Sequence, residues 1–138
     1  METIKDIQTE IIEEFEMFDD WMQKYEYLID LGKELAPIEG QYKTEDNLIK
    51  GCQSRVWLHA EKQNGKIIYT ADSDAIMTKG IIAILIRVLS EQKAVEIVSA
   101  DLSFIDAIGL KEQLSATRAN GLVSMIKKMK LYALAFQN

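Results

Sequence analysis

The sequence predicts an α+β fold, a small antiparallel β-sheet with helices packed on one side. Three observations predict it. The N-terminal third carries apolar residues at spacings of three and four, a central stretch alternates strictly and closes on Asn-Gly, and helical patterning then resumes almost to the end. The 138 residues, 48% hydrophobic and 28% charged, suit one domain spanning residues 1–138 with a proper core. One proline and seven glycines argue against a long disordered segment.

The elements follow in order. Ile4, Ile7, Ile11, Phe15 and Phe18 fall on one face of a first amphipathic helix. Asp19 or Asp20 can cap a second, whose apolar stripe is Trp21, Tyr25, Leu28 and Ile29. Gly32 reads as its stop, and Ala36-Pro37 disfavours further helix, because proline restricts the residue before it. Over residues 39–51 the apolar rhythm lapses, which predicts a loop with a short strand near Leu48 and Ile49. Val56, Leu58 and Ala60 then alternate with Trp57, His59 and Glu61, the pattern of a strand with one buried face. Asn64-Gly65 supplies the positive-φ pair of a tight turn, and the β-rich run KIIYTAD (66–72) completes an antiparallel hairpin.

Ser73 or Asp74 can cap a helix reaching about Ser90, with Ile76, Met77, Ile81, Ile82, Ile84, Leu85 and Val88 nearly encircling it. Such a helix lies at the centre of its domain. Short helices are expected around residues 91–99 and 104–108. The last helix starts near Arg118 or Asn120 and ends at Phe136, with Leu122, Met125, Met129, Ala133 and Phe136 on one stripe. Lys127, Lys128 and Lys130 fall towards its C-terminal half, where cations suit the helix dipole.

Charge and motifs exclude several function classes. The net charge of −6 makes nucleic acid a poor partner. Residues 1–46 hold 14 acids and 4 bases, whereas residues 47–138 hold 8 and 12, an asymmetry that reads as a solvated acidic face or a docking surface. The start METIKDIQTEIIEEF lacks a basic region followed by an apolar run, and the longest apolar run, residues 81–86, is too short for a bilayer. The expectation is a cytoplasmic protein that binds no membrane. Neither GxxxxGK[ST] nor GxGxxG occurs, and no histidine spacing suits a metal. Asp72-Ser73-Asp74 reads more simply as a strand end and cap than as a carboxylate pair.

One cysteine excludes a disulfide framework, a multi-cysteine zinc site and a self-contained iron–sulfur cluster. Cys52 stands in Gly51-Cys52-Gln53-Ser54, where the glycine allows a tight turn and Lys50 and Arg55 could favour the thiolate. A core thiol and a reactive one remain open readings. His59 follows by seven residues, an odd separation that places it on the opposite face of a continuous strand, so a Cys–His catalytic pair is disfavoured. Arg118, followed by Asn120-Gly121, reads as part of a capping turn or as a guanidinium offered to an anion or partner.

The runs GCQSRVWL (51–58), DSDA (72–75), KGIIAIL (79–85) and TRANGL (117–122), in this order and around a hairpin, closely resemble the SufE family. That family often has Pro-Ser before the arginine of the last run, where this chain has Ala116-Thr117. The resemblance implies the fold shared with IscU-type scaffold proteins. It implies that Cys52 accepts sulfur as a persulfide from a cysteine desulfurase of the SufS or CsdA kind and passes it to an iron–sulfur cluster assembly scaffold. Gly51 and Gln53 flank Cys52 in the matching run, and Arg118 matches an arginine near the acceptor loop. Pyridoxal phosphate would belong to the partner, leaving this chain without cofactor or metal and without an enzyme activity of its own. An easily oxidised persulfide would rest against apolar side chains, on a loop that moves out to meet the donor. The alternative class is a cysteine-dependent enzyme acting on its own small substrate.

Overall fold

The computed structural model describes residues 2–137. Helix α1 (Ile4–Glu16) starts at a reciprocal cap: Thr3 Oγ1 accepts from the Asp6 N–H at 3.1 Å and Asp6 Oδ2 from the Thr3 N–H at 3.2 Å. It buries Gln8, Ile11 and Phe15. Helix α2 (Trp21–Lys33) begins at Asp20, whose carboxylate accepts from the Gln23 N–H at 2.9 Å. Gly32 does not stop this helix, contrary to the sequence expectation. It is buried within it, because the backbone of a later helix passes so close that a Cβ at Gly32 would lie 2.8 Å from the Gly80 nitrogen. The glycine serves a helix–helix approach rather than a terminus.

After α2 the chain forms two 3₁₀ turns, Gly40–Tyr42 and Glu45–Asn47. The expected strand at Leu48 and Ile49 reduces to a single bridge between Leu48 and Trp57, with Ile49 N–H donating to the Val56 carbonyl at 2.8 Å. Strands β1 (Val56–Gln63) and β2 (Lys66–Ser73) form the predicted hairpin, and Asn64 and Gly65 take φ of 52° and 81° in its turn. Leu58 opposes Ala71 and Ala60 opposes Tyr69, so Val56, Leu58, Ala60, Ile67, Tyr69 and Ala71 make one buried face.

Helix α3 (Ile76–Leu89) buries nine of its 14 residues and lies at the centre of the core. Neither expected cap forms. Ser73 ends β2 and donates its hydroxyl to the Arg55 carbonyl at 2.8 Å, while Asp74 accepts from the Arg55 N–H at 3.0 Å. Both side chains tie the entry of β1 to the exit of β2, and Asp72 is held by Lys43 at 3.0 Å and Lys79 at 3.4 Å. Ile76, in the first turn, stays 65% exposed and leaves the apolar ring open there. Short helices α4 (Ala94–Val98), α5 (Phe104–Ala107) and α6 (Leu110–Gln113) follow, the last unforeseen because four residues carry no readable period.

Helix α7 (Ala116–Phe136) begins earlier than predicted, since Ser115 rather than the Asn-Gly pair caps it, accepting from the Arg118 N–H at 3.2 Å. Its predicted stripe is buried from Leu122 to Ala133, and Phe136 is half-buried. The lysines lie short of its last turn. Lys130 instead donates to the Ala100 carbonyl at 2.6 Å, and the Tyr69 hydroxyl reaches the Met129 carbonyl at 2.6 Å inside the core. A buried bond of that kind is worth about 1 kcal/mol, and it anchors the sheet to α7. Arg87 grips Glu14 through two bonds of 2.7 and 2.5 Å, joining α3 to α1. The helices therefore cover one face of the hairpin. Its other face is met by the 3₁₀ segment, with Tyr42 stacked on His59 and Lys43 over Trp57.

Candidate functional site

The site forms where the loop entering β1 rests on the first half of α7. Gly51 takes φ +93°, a region in which an L side chain is strained, and a Cβ there would lie 2.5 Å from Ser124 Oγ. The backbone calls for glycine, and any side chain here would push the Ser124 hydroxyl aside. The turn sets Cys52 against α7, half-buried on the edge of the core, with its Sγ–H directed to the Gly121 carbonyl at 3.7 Å. A Cβ on Gly121 would lie 3.4 Å from Sγ, so a side chain at this point on the helix would crowd the thiol. Gly121 and Ser124 are three residues apart and therefore share a face of α7. Together they form the seat of the loop.

Beyond the thiol lies a cavity of about 60 Å³. Cys52, Thr78 and Ile81 of α3, and Arg118, Gly121 and Met125 of α7 bound it, with Gln53 and Ser54 also lining it. The structure thus brings Cys52, Gln53 and Arg118 to one cavity and sets Gly51 beside it. Arg118 lies in the first turn of α7, exposed, where the Ser115 cap holds its backbone. That corrects the reading of residues 118–121 as a capping turn. Asn120 and Gly121 are helical, and the glycine is there for Cys52.

The electrostatics differ from the sequence expectation. Burial pushes the Cys52 thiol above its ordinary range, because the charged thiolate loses hydration, and neither Lys50 nor Arg55 offsets this. Lys50 lines a separate surface cavity with Lys127 and Lys128. His59 is apart from the thiol too. It stacks on Tyr42 with ring centroids 3.5 Å apart, places Nε2 3.0 Å from Glu61 Oε1, and lines a different cavity with Pro37 and Glu39. Among the described residues, Arg118 is the one ionisable side chain lining the cavity besides Cys52, and a guanidinium cannot serve as a base.

Sequence reasoning missed Thr78, Gly121, Ser124 and Met125 as parts of the site. Met125 was placed in the core stripe. A glycine within the final helical pattern, three residues before a serine, was the available sign for a seat. The sign for Thr78 was a polar residue in an otherwise apolar helix face.

The fold and the site define an α+β protein whose one thiol is presented by a glycine turn against a helix. The family model described as "SufE: Fe-S metabolism associated domain" matches residues 9–133. The chain belongs to the SufE family, whose domain is associated with iron–sulfur metabolism. It is 39% identical over 127 residues to an uncharacterised SufE-like protein of Synechocystis sp., covering 92% of this chain and 80% of that one. An uncharacterised SufE-like protein of Rhizobium meliloti is 39% identical over 126 residues, covering 88% and 90%. SufE-like protein 1 of Arabidopsis thaliana, chloroplastic/mitochondrial, is 40% identical over 128 residues, 91% of this chain but only 34% of the plant protein. The chain thus spans about a third of that relative's length. The solution structure of a hypothetical protein from Thermus thermophilus superposes with a TM-score of 0.78 over 94% of each chain at 17% identity, a likeness of fold.

Proposed function

We propose that this chain is the sulfur acceptor and activator of a pyridoxal-phosphate cysteine desulfurase, and that Cys52 carries the sulfur on to an iron–sulfur cluster scaffold. The observation that carries this reading is the setting of Cys52. The chain's one thiol is half-buried on a positive-φ glycine turn, beside a small cavity, in a member of a family associated with iron–sulfur metabolism.

The chemistry is thiol–persulfide exchange. The Cys52 thiolate attacks the outer sulfur of the donor's cysteine persulfide, and a new S–S bond forms on Cys52 as the donor's S–S bond breaks. The electron pair of the broken bond leaves with the donor's sulfur as a thiolate, which takes up the proton Cys52 gave up. No net oxidation occurs, and no metal or acid–base dyad is needed. Closed, the loop keeps Cys52 protonated through burial. Moving outwards, it restores hydration, and the thiolate forms where the donor waits. The one other ionisable side chain that lines the cavity among the described residues, Arg118, cannot act as a base, which supports a carrier over an enzyme with a base beside its nucleophile. Arg118, at the cavity, is suited to steady the negative sulfur or the docked partner. The proposal sets the exchange in the cytoplasm, and no helix among the described residues is long and apolar enough to cross a membrane.

Incubation with a cognate desulfurase, cysteine and pyridoxal phosphate, followed by intact-mass measurement, tests it. The wild type gains one sulfur atom and raises desulfurase turnover, Cys52→Ser gains none, and Arg118→Ala gains it more slowly with an unchanged melting temperature. No transfer and no change in turnover would overturn the proposal.

A further inference from the structure

Three polar side chains are buried to a similar degree, and only two of them have protein partners. Gln8, 7% exposed, donates to the Asp101 carbonyl at 3.1 Å and accepts from the Phe104 N–H at 3.1 Å. Gln92, 5% exposed, donates to the Glu2 carbonyl at 3.2 Å. Thr78, 5% exposed, has no side-chain partner among the described residues, yet no fully enclosed side-chain nitrogen or oxygen is left unbonded among them. Its hydroxyl is therefore not fully enclosed, and Thr78 is one of the residues that line the cavity with Cys52. A valine would fill the same helical position without burying most of a polar group, so the hydroxyl is a donor free to take a ligand.

The cavity narrows what that ligand is. About 60 Å³ is small, the room of a few water molecules at about 10–15 Å³ each. It has room for one further atom of sulfur's size on Cys52. Ile81 and Met125 supply apolar wall, and the Gly121 carbonyl beside Sγ accepts a proton donor but repels an anion. A persulfide is more acidic than a thiol, so its outer sulfur turns from that carbonyl towards a donor. Among the donors that line the cavity Thr78 is the buried one, Gln53, Thr117 and Arg118 being exposed and Ser54 half-buried. Thr78 is on a buried helix and has a β-branched side chain with few rotamers, so such a donor is held in place.

We infer that the Thr78 hydroxyl holds the outer sulfur of the Cys52 persulfide, donating a hydrogen bond to it in this cavity. This deepens the sulfur-acceptor reading and rests on it. A hydrogen bond to the ionised form favours that form and keeps the sulfur from solvent reductants and oxidants.

The test loads the protein without a desulfurase. Sodium tetrasulfide charges Cys52: the thiolate attacks a sulfur of the tetrasulfide, an S–S bond breaks, and the shortened polysulfide leaves with the electron pair. After removal of excess reagent, intact mass follows loss of the outer sulfur, and iodoacetamide alkylation follows its ionisation against pH. Thr78→Val is expected to lose the sulfur about tenfold faster and to shift the alkylation midpoint up by about one pH unit, whereas Thr78→Ser restores both. A Thr78→Val profile equal to wild type overturns the inference. So does a Thr78→Ser profile equal to Thr78→Val, which would assign the effect to packing, and so does failure of tetrasulfide to charge Cys52. Desulfurase transfer to the wild type, measured alongside, separates the two claims. If it is absent while the Thr78 effects hold, the desulfurase reading falls alone. If it is present and Thr78→Val is indistinguishable from wild type, the Thr78 inference falls alone.

Discussion

Two places in the molecule each use two glycines for a close approach between elements, and they are built for opposite ends. At the α2–α3 crossing, Gly32 and Gly80 let backbone meet backbone. A Cβ on Gly80 would be driven into the Leu28 carbonyl, and one on Gly32 into the backbone of residues 79 and 80. At the thiol loop, Gly51 and Gly121 meet the ends of side chains instead, Ser124 Oγ and Cys52 Sγ. Backbone in a helix cannot yield without breaking its hydrogen bonds, whereas a hydroxyl or a thiol rotates away. The first contact is a permanent joint between helices. The second rests on side-chain ends that can rotate, and the proposed sulfur exchange would use it as a latch that lets Cys52 go.

The largest effect expected from this contrast is at the joint. Gly80→Ala should cost about 3 kcal/mol, or roughly 10 °C in Tm for a chain of this size, because neither helix can move aside without opening the core. A loss below about 1 kcal/mol would show that α2 and α3 slide freely and would dissolve the distinction. Gly51→Ala comes next. The left-handed backbone costs it about 1–2 kcal/mol, and the contact with Ser124 adds a part that Ser124→Ala should relieve, as a double-mutant cycle by chemical denaturation would read. Strict additivity of the two changes would mean that Ser124 does not seat the loop. The smallest change in stability belongs to Gly121→Ala. Helix propensity favours alanine by about 1 kcal/mol while the new methyl crowds Sγ, so Tm should hold or rise slightly as sulfur acceptance by Cys52 slows several-fold. Unchanged acceptance would remove Gly121 from the site.

How far each region could be read beforehand follows from the range of its causes. The hairpin was legible because alternation and Asn64-Gly65 are local, and the Asp20 cap because it acts within one turn. Gly32 was misread as a helix stop because its purpose resides in Gly80, 48 positions away in a different helix. The start of α7 was misplaced because Asn120-Gly121 resembles a turn, while Ser115 supplies the cap and the glycine answers to Cys52. Proline is favoured at the first position of a helix, the place Ala116 occupies, so the departure from the family's Pro-Ser leaves the helix start beneath Arg118 in place. Cys52 stood out as a candidate by counting, there being one cysteine, and counting left a core thiol and a reactive one both open. Thr78 and Ser124 were not, because only the convergence of α3 and α7 on one loop makes them neighbours of the thiol.

The latch is the centre of this account: in the proposed exchange the loop opens to bring Cys52 to its donor while the rest of the fold stays closed. The most direct test is the rate of Cys52 alkylation by iodoacetamide at a series of urea concentrations below the unfolding transition. A local opening exposes little surface, so the rate should stay nearly flat with urea. A rate that climbs with the full slope of global unfolding would show that Cys52 is released only when the core melts, and would contradict the account.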